Sequence, residues 1–245
     1  MPNPIRGGNV FIEDPLARYF HEEGLKAELS GDYISARNSF YQGIMELYNR
    51  PLSAARQVQL ARILRDDGFT SLRQSIFESE PEKLAEAEEI LNRSKALTGR
   101  LVRWSRIISS IPGLPIELTS PELCELGSEH GATISLLGRL ATVNHVQFGR
   151  NDVDPTSMYE EAHDYLRSGS NGYYRVSNAM VAARWERIQN NLPEVFRWLG
   201  RSTSGLAWTA AHNPANLVPA GMTFAGRVGH LRSWNGSFLS VAVKP

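Results

Sequence analysis

The chain has 245 residues, 42% hydrophobic and 21% charged, and its 26 Lys+Arg balance 26 Asp+Glu. That mixture supports a buried core and excludes a disordered polyampholyte. A net charge of zero also excludes a broadly basic nucleic-acid binder. Residues 1–15 hold few apolar anchors and read as an irregular leader. Leu16, Tyr19, Phe20, Leu25 and Leu29 then recur at helical spacing. Ser30-Gly31-Asp32 breaks the pattern with a terminating glycine and a capping acid. Tyr33, Ala36, Phe40, Ile44 and Leu47 restart it. Two helices joined by so short a turn must be antiparallel neighbours.

The pattern recurs downstream. A longer helix is predicted over Ala54 to Phe77, and Ser79-Glu80-Pro81-Glu82 opens the next one with proline and acids near its start. Leu84, Ala87, Ile90, Leu91 and Ala96 form that helix's apolar stripe. Thr98 to Glu129 is less regular: a helix over Leu101 to Ile108, a break at Ile111-Pro112-Gly113-Leu114-Pro115, and a turn or two of helix over Pro121 to Leu126. Ala132 to Phe148 is helical again, and a loop from Gly149 to Pro155 leads to a short helix marked by Met158, Tyr159, Ala162, Tyr165 and Leu166. Tyr173 to Gln189 and Pro193 to Leu199 make a further hairpin, joined at Asn190-Asn191.

Composition shifts to Gly, Ser, Ala and Pro near the end, and residues 204–245 read as a tail. Gly200-Arg201-Ser202-Thr203-Ser204-Gly205 reads as the linker into it. Trp234-Asn235-Gly236-Ser237 suits a type I′ turn, which gives a β-hairpin with Ser237 to Val243 as its second strand. A helix from Ala220 to Trp234 competes with that hairpin on equal terms. Charge divides at the same region: every acid precedes Val195, whereas Arg197, Arg201, Arg227, Arg232 and Lys244 follow with no acid among them.

Catalytic motifs are absent from this reading. Cys124 is the single cysteine, so no intramolecular disulfide can form, and its Leu-Cys-Glu-Leu setting predicts a small core residue. Met1 to Gly8 lacks the apolar segment of a signal peptide, and no run approaches the roughly 18 uncharged apolar residues of a membrane span, so the expected location is the cytoplasm. Gly200 to Gly205 lacks the Gly-Lys-Ser/Thr ending of a nucleotide loop. Glu160, His163 and Asp164 fall on one helix face behind Asp152 and Asp154, but the glycine of a calcium loop and a His-Glu-x-x-His pair are both missing, so no metal or other cofactor is expected. The five tryptophans, Trp104, Trp185, Trp198, Trp208 and Trp234, together with Tyr173 and Tyr174, are expected mostly in packing between hairpins.

Gly24, then Gly31-Asp32-Tyr33, then Ala36, Phe40 and Gly43 resemble one tetratricopeptide repeat. Gly68 with Ala87 and Leu91, Leu137-Gly138 with Tyr159 and Ala162, and Ala183 with Leu199 follow the same pattern with looser spacing. The resemblance implies an all-α fold of stacked antiparallel helical hairpins, with degenerate repeats, over residues 16–203. It also implies a non-catalytic interaction module or adaptor, holding a peptide or partner helix in a concave groove lined by the first helices.

Aligned on Gly24, Gly68, Gly138 and Ala183, the groove positions of that family fall on Arg18, His21, Leu25 and Glu28; on Arg62, Arg65, Phe69, Leu72 and Arg73; on Ala132, Ser135, Arg139 and Thr142; and on Ser177, Met180, Arg184 and Arg187. The peptide-binding set is therefore Arg18, Arg62, Arg65, Phe69, Arg73, Arg139, Arg184 and Arg187. So many guanidinium groups favour an acidic or carboxylate-terminated partner, since each captures a carboxylate bidentately. Pairing of these arginines with acids one turn away, such as Asp66 and Glu186, is the competing expectation. Two further readings compete: a helical enzyme or small-ligand protein with its site near His145, Asp152, Asp154 and His163, and a homo-oligomer that pairs through the tail hairpin.

Overall fold

The structure is a computed structural model that describes residues 11, 13–51, 53–78, 80–109, 118–150, 152–212, 214 and 217–232. Among the described residues it is all-α, with nine helices and no strand. They are α1 (Pro15–Leu29), α2 (Tyr33–Tyr48), α3 (Ala54–Glu78), α4 (Pro81–Ser109), α5 (Ser120–Phe148), α6 (Pro155–Ser168), α7 (Gly172–Ile188), α8 (Leu192–His212) and α9 (Leu217–Arg232).

Local chemistry sets the ends. The Asp14 carboxylate accepts from the backbone N–H groups of Leu16 and Ala17, and Pro15 fills the first turn, where no N–H is needed. Gly31 turns the chain between α1 and α2 with φ at +82°, and the Asp32 side chain accepts from the Ser35 amide. Thr119 and Glu122 form a reciprocal capping box that starts α5, and Gly149 ends that helix in the left-handed conformation. Asp154 and Asn171 cap α6 and α7 in the same way as Asp14 caps α1.

The helices pack in sequential pairs: α1 on α2, α3 on α4, α5 on α6 and α7 on α8 share the most extensive interfaces. Short connections make each pair antiparallel. The first members also touch one another along the chain, α1 with α3, α3 with α5, α5 with α7 and α7 with α9. One row therefore consists of α1, α3, α5, α7 and α9. Its core is a series of apolar clusters: Phe40, Leu47, Leu60 and Ile63 join the first two pairs, Leu72, Leu91 and Leu137 join α3 and α4 to α5, and Tyr159, Ala183 and Trp198 join α6 to α7 and α8.

Helix extends further than the amphipathic stripes foretell. α4 is continuous through Ser109, and α5 begins at Ser120, twelve residues before Ala132. Gly200 to Gly205 is no linker but the middle of α8, which runs to His212, past the expected array boundary at residue 203. Ser202 and Gly205 are buried there, so the small residues serve close packing, with a Cβ at Gly205 only 3.2 Å from Val176. Residues 217–232 form α9, while Ser237 to Val243, the second strand of the hairpin expectation, lies outside the described residues, as does Trp234. Cys124 is exposed rather than in the core. Trp185 and Trp198 are buried as expected, but Trp104 is 61% exposed.

Gly200 itself faces solvent, and a Cβ added there meets nothing within 4 Å. Gly200→Ala is therefore expected to raise stability by about 0.5–1 kcal/mol, because alanine loses less backbone entropy in a helix. Urea denaturation measures it; a lowered midpoint would contradict the open surroundings assigned to this position.

Candidate functional site

A pocket of about 300 Å³ lies among α1, α3, α5 and α7. Leu25, Glu28 and Leu29 line it from α1, and Arg65, Asp66, Phe69 and Arg73 from α3. Ala132, Ser135, Leu136 and Arg139 come from α5, and Tyr173, Tyr174 and Ser177 from α7. The i, i+3, i+4, i+7 spacing within α5 (132, 135, 136, 139) puts four side chains on one face of that helix. Nine of these lining residues are among the groove positions aligned from the sequence.

Beneath the pocket lies a buried ionic network. The Arg62 side chain is 3% exposed and donates from Nη1 to Glu13 (2.8 Å), from Nε to Glu129 (2.9 Å) and from Nη2 to Glu125. Arg65 donates to Asp66 at 2.9 Å and also to Glu129. Burial alone would lower the Arg65 pKa, but Asp66 and Glu129 outweigh it and hold the group well above its ordinary value. His21 is buried against Asp66, with Nε2 to Oδ2 at 2.7 Å. The Tyr174 ring lies 5.2 Å from the Arg65 guanidinium, and its burial raises the phenol pKa.

The pocket rim is polar in a different way. Arg73 donates to Glu28 at 3.0 Å and stands over the rings of Tyr33 and Phe69. Burial, then the charge of Asp66, raises the Glu28 pKa, while Arg73 opposes both. Arg139 differs from its neighbours: among the described residues it has no carboxylate ion pair. Its Nη2 donates to the Ser177 hydroxyl at 2.7 Å, its Nε is buried without an acceptor, and its guanidinium lies 5.9 Å from the Phe69 ring. Burial lowers its pKa, offset in part by Tyr173 and Tyr159. Arg184 is half-buried, and burial together with the charge of Arg139 lowers its pKa too. Two like charges thus stand near each other on α5 and α7.

The arginines predicted as one set therefore divide. Arg65, Phe69, Arg73 and Arg139 line the pocket, whereas Arg62 is consumed by the network below it. Arg184 neighbours Arg139 without lining the pocket, and Arg187 is exposed. Arg18 faces solvent and pairs with Glu22 at 2.8 Å. Pairing of Arg65 with Asp66 follows the competing expectation; Glu186 instead accepts from Thr156 and Asn191. Tyr173 and Tyr174 enter the lining unforeseen, although their adjacency at the start of a first helix was visible in the sequence.

Capping and ring contacts engage three residues of the alternative site. Asp154 is the cap of α6, His145 packs edge-on against Trp185, and His163 edge-on against Trp198. Glu160 accepts from Arg197 and Arg201. Among the described residues no group of three or more His, Cys, Asp or Glu is placed to hold a metal ion. Among them, too, no helix is long and apolar enough to cross a membrane.

Fold and site together define an all-α protein of packed helical pairs, with a mixed polar and apolar pocket on the row of first helices. No protein-family model matches the chain, and no curated protein matches it.

Proposed function

We propose that this chain is a non-catalytic, tetratricopeptide-like interaction module of the cytoplasm. Its inner row, α1, α3, α5 and α7, receives an acidic segment of a partner protein. The observation that carries the reading is Arg139, a cation on that row with no carboxylate ion pair among the described residues, backed by the positive charge of Arg184. A guanidinium withdrawn from water recovers lost hydration best by taking a carboxylate, and Arg139 has none among the described residues. The Gly24-to-Phe40 motif and the sequential pairing of helices support the repeat-like reading, and a lone cysteine suits a reducing compartment.

The test is affinity capture from the native host with immobilised protein, followed by titration of the recovered partner. Arg184→Glu is expected to weaken that partner at least roughly tenfold, since it replaces a positive charge beside Arg139 with a negative one that repels an acidic segment. Arg18→Glu, at an exposed residue outside the pocket lining, is expected to leave binding unchanged. Equal affinity for wild type and Arg184→Glu rejects the proposal.

A further inference from the structure

Arg65, Arg73 and Arg139 all line the same pocket, but of the three only Arg139 has no acidic partner among the described residues. Arg65 is held by Asp66 and Glu129, and Arg73 by Glu28. The lining therefore offers one uncommitted positive charge. Ser177 accepts from Arg139 and still has its own hydroxyl proton to donate, and Ser135 stands one helical turn from Arg139 on the same face. The lining also holds apolar or flat side chains: Leu25, Leu136, Phe69 and Tyr174. About 300 Å³ is the lower end of small-molecule sites, room for a body of roughly ten heavy atoms.

The charge pattern also selects the anion. The lining sets Arg65, Arg73 and Arg139 against Glu28 and Asp66, so one negative charge on the ligand balances it and a second exceeds it. A dianionic phosphate is disfavoured by that arrangement, and a single carboxylate is matched by it.

We infer that the pocket between α1, α3, α5 and α7 is a binding site for a monocarboxylate on a flat apolar body, its carboxylate held by Arg139 and Ser177. The acid is either a free small molecule or the last residue of a chain. The inference rests on the same cation as the module reading but does not require a protein partner.

Isothermal titration of the full chain with 3-phenylpropionate, an acid of about eleven heavy atoms, tests it. Ligands of that size reach Kd values of about micromolar to millimolar. Saturable binding in that range is expected, with 3-phenylpropanamide and phenyl phosphate each at least roughly tenfold weaker on the wild-type protein. Arg139→Met is expected to lower affinity roughly 10–100-fold. The amide and phosphate comparison needs no variant, so it stands even if Arg139→Met folds poorly. The peptide acetyl-Gly-Gly-Phe, with a free or an amidated end, assigns the source: tighter binding of its free-acid form than of 3-phenylpropionate indicates a chain terminus, and the reverse order a small acid. No saturation of the wild type by either acid up to about 10 mM, or equal binding of acid and amide, overturns the inference. Partner capture that still depends on Arg184 would then leave the module reading intact, so the two fail separately.

Discussion

Arg62→Met is expected to destabilise the protein by about 3–5 kcal/mol, the usual cost of stripping the counter-charge from buried ions. The Arg62 side chain is 3% exposed, and Glu13, Glu125 and Glu129, its three partners, are themselves nearly withdrawn from water. Methionine fills much of the volume, so the loss isolates charge rather than cavity. Glu129 keeps Arg65 and Glu13 keeps Arg18 at 3.9 Å, but the three carboxylates lose the guanidinium they share in a low-dielectric setting. Their repulsion falls where the leader meets α3 and α5, at residues 13, 62 and 125. Urea denaturation at neutral pH gives the value. Combining Arg62→Met with Glu125→Gln and Glu129→Gln is expected to recover part of the loss, because neutral amides tolerate burial better than unpaired carboxylates. A loss below about 1 kcal/mol for Arg62→Met would mean that the network does not hold these elements together. Arg62→Lys discriminates further: it restores the charge but not the fork that spans three acids, and is expected to fall between wild type and methionine.

The role of Arg62 also marks the boundary of what the sequence discloses. Helix pairs were legible because glycine, capping acids and apolar stripes are local signals. Asp14, Gly31-Asp32 and Asp154-Pro155 each act within four residues of themselves. The inner face was legible for a related reason: aligning the chain on Gly24, Gly68, Gly138 and Ala183 fixes the helical phase, and phase fixes which side chains look inward. Nine of the lining residues came out of that phase alone. Which arginines are free to bind was not legible. The acids that neutralise Arg62 lie 49 to 67 residues away, on the leader and on α5, and those contacts belong to packing rather than periodicity. Glu28 neutralises Arg73 across 45 residues for the same reason. The long α4 and α5 escaped because their extra turns carry mixed surfaces: Arg100, Arg103 and Trp104 are solvent-facing or partly so, whereas Ser128, Glu129 and His130 are polar yet buried. A buried His130, whose pKa burial lowers to about 4 and whose Nδ1 meets Thr98 at 2.7 Å, does not read as core from its residue type. Small residues misled in the opposite direction at Gly200 to Gly205, where glycine and serine signal a loop by composition but stand in mid-helix, with Ser202 and Gly205 packed in an interface.

Gly138→Ala is expected to be the most damaging of three parallel substitutions, with a loss of about 1–3 kcal/mol, even though alanine in an unhindered helix gains about 1 kcal/mol. In three of the helix pairs a glycine on the first helix faces a large side chain of the second: Gly24 faces Phe40, Gly68 faces Leu91 and Gly138 faces Tyr159. An added Cβ would come within 2.4 Å of the Phe40 ring, 2.8 Å of Leu91 and 2.7 Å of the Tyr159 ring. Real Cβ atoms do not approach so closely, so the neighbour has to move or the helices have to separate. The three neighbours differ in how they yield. Leu91 is aliphatic and has rotamers to change, so Gly68→Ala is the mildest. Phe40 is a rigid, fully buried ring, with nothing but packing to hold it. Tyr159 is equally buried and also tethered, its hydroxyl 2.9 Å from Thr142 Oγ1 and its carbonyl accepting from Asn178 Nδ2 at 3.0 Å. Displacing that ring breaks a buried hydrogen bond as well as packing, which adds about 1 kcal/mol. The expected order of loss is therefore Gly138→Ala, then Gly24→Ala, then Gly68→Ala, read from urea midpoints at unchanged slope. Pairing Gly24→Ala with Phe40→Leu is expected to be less harmful than the sum of the two single changes, because the smaller side chain yields to the new methyl. Strict additivity in that pair, or a gain in stability at Gly138 like the one expected at Gly200, would show that close helix approach does not fix these hairpins.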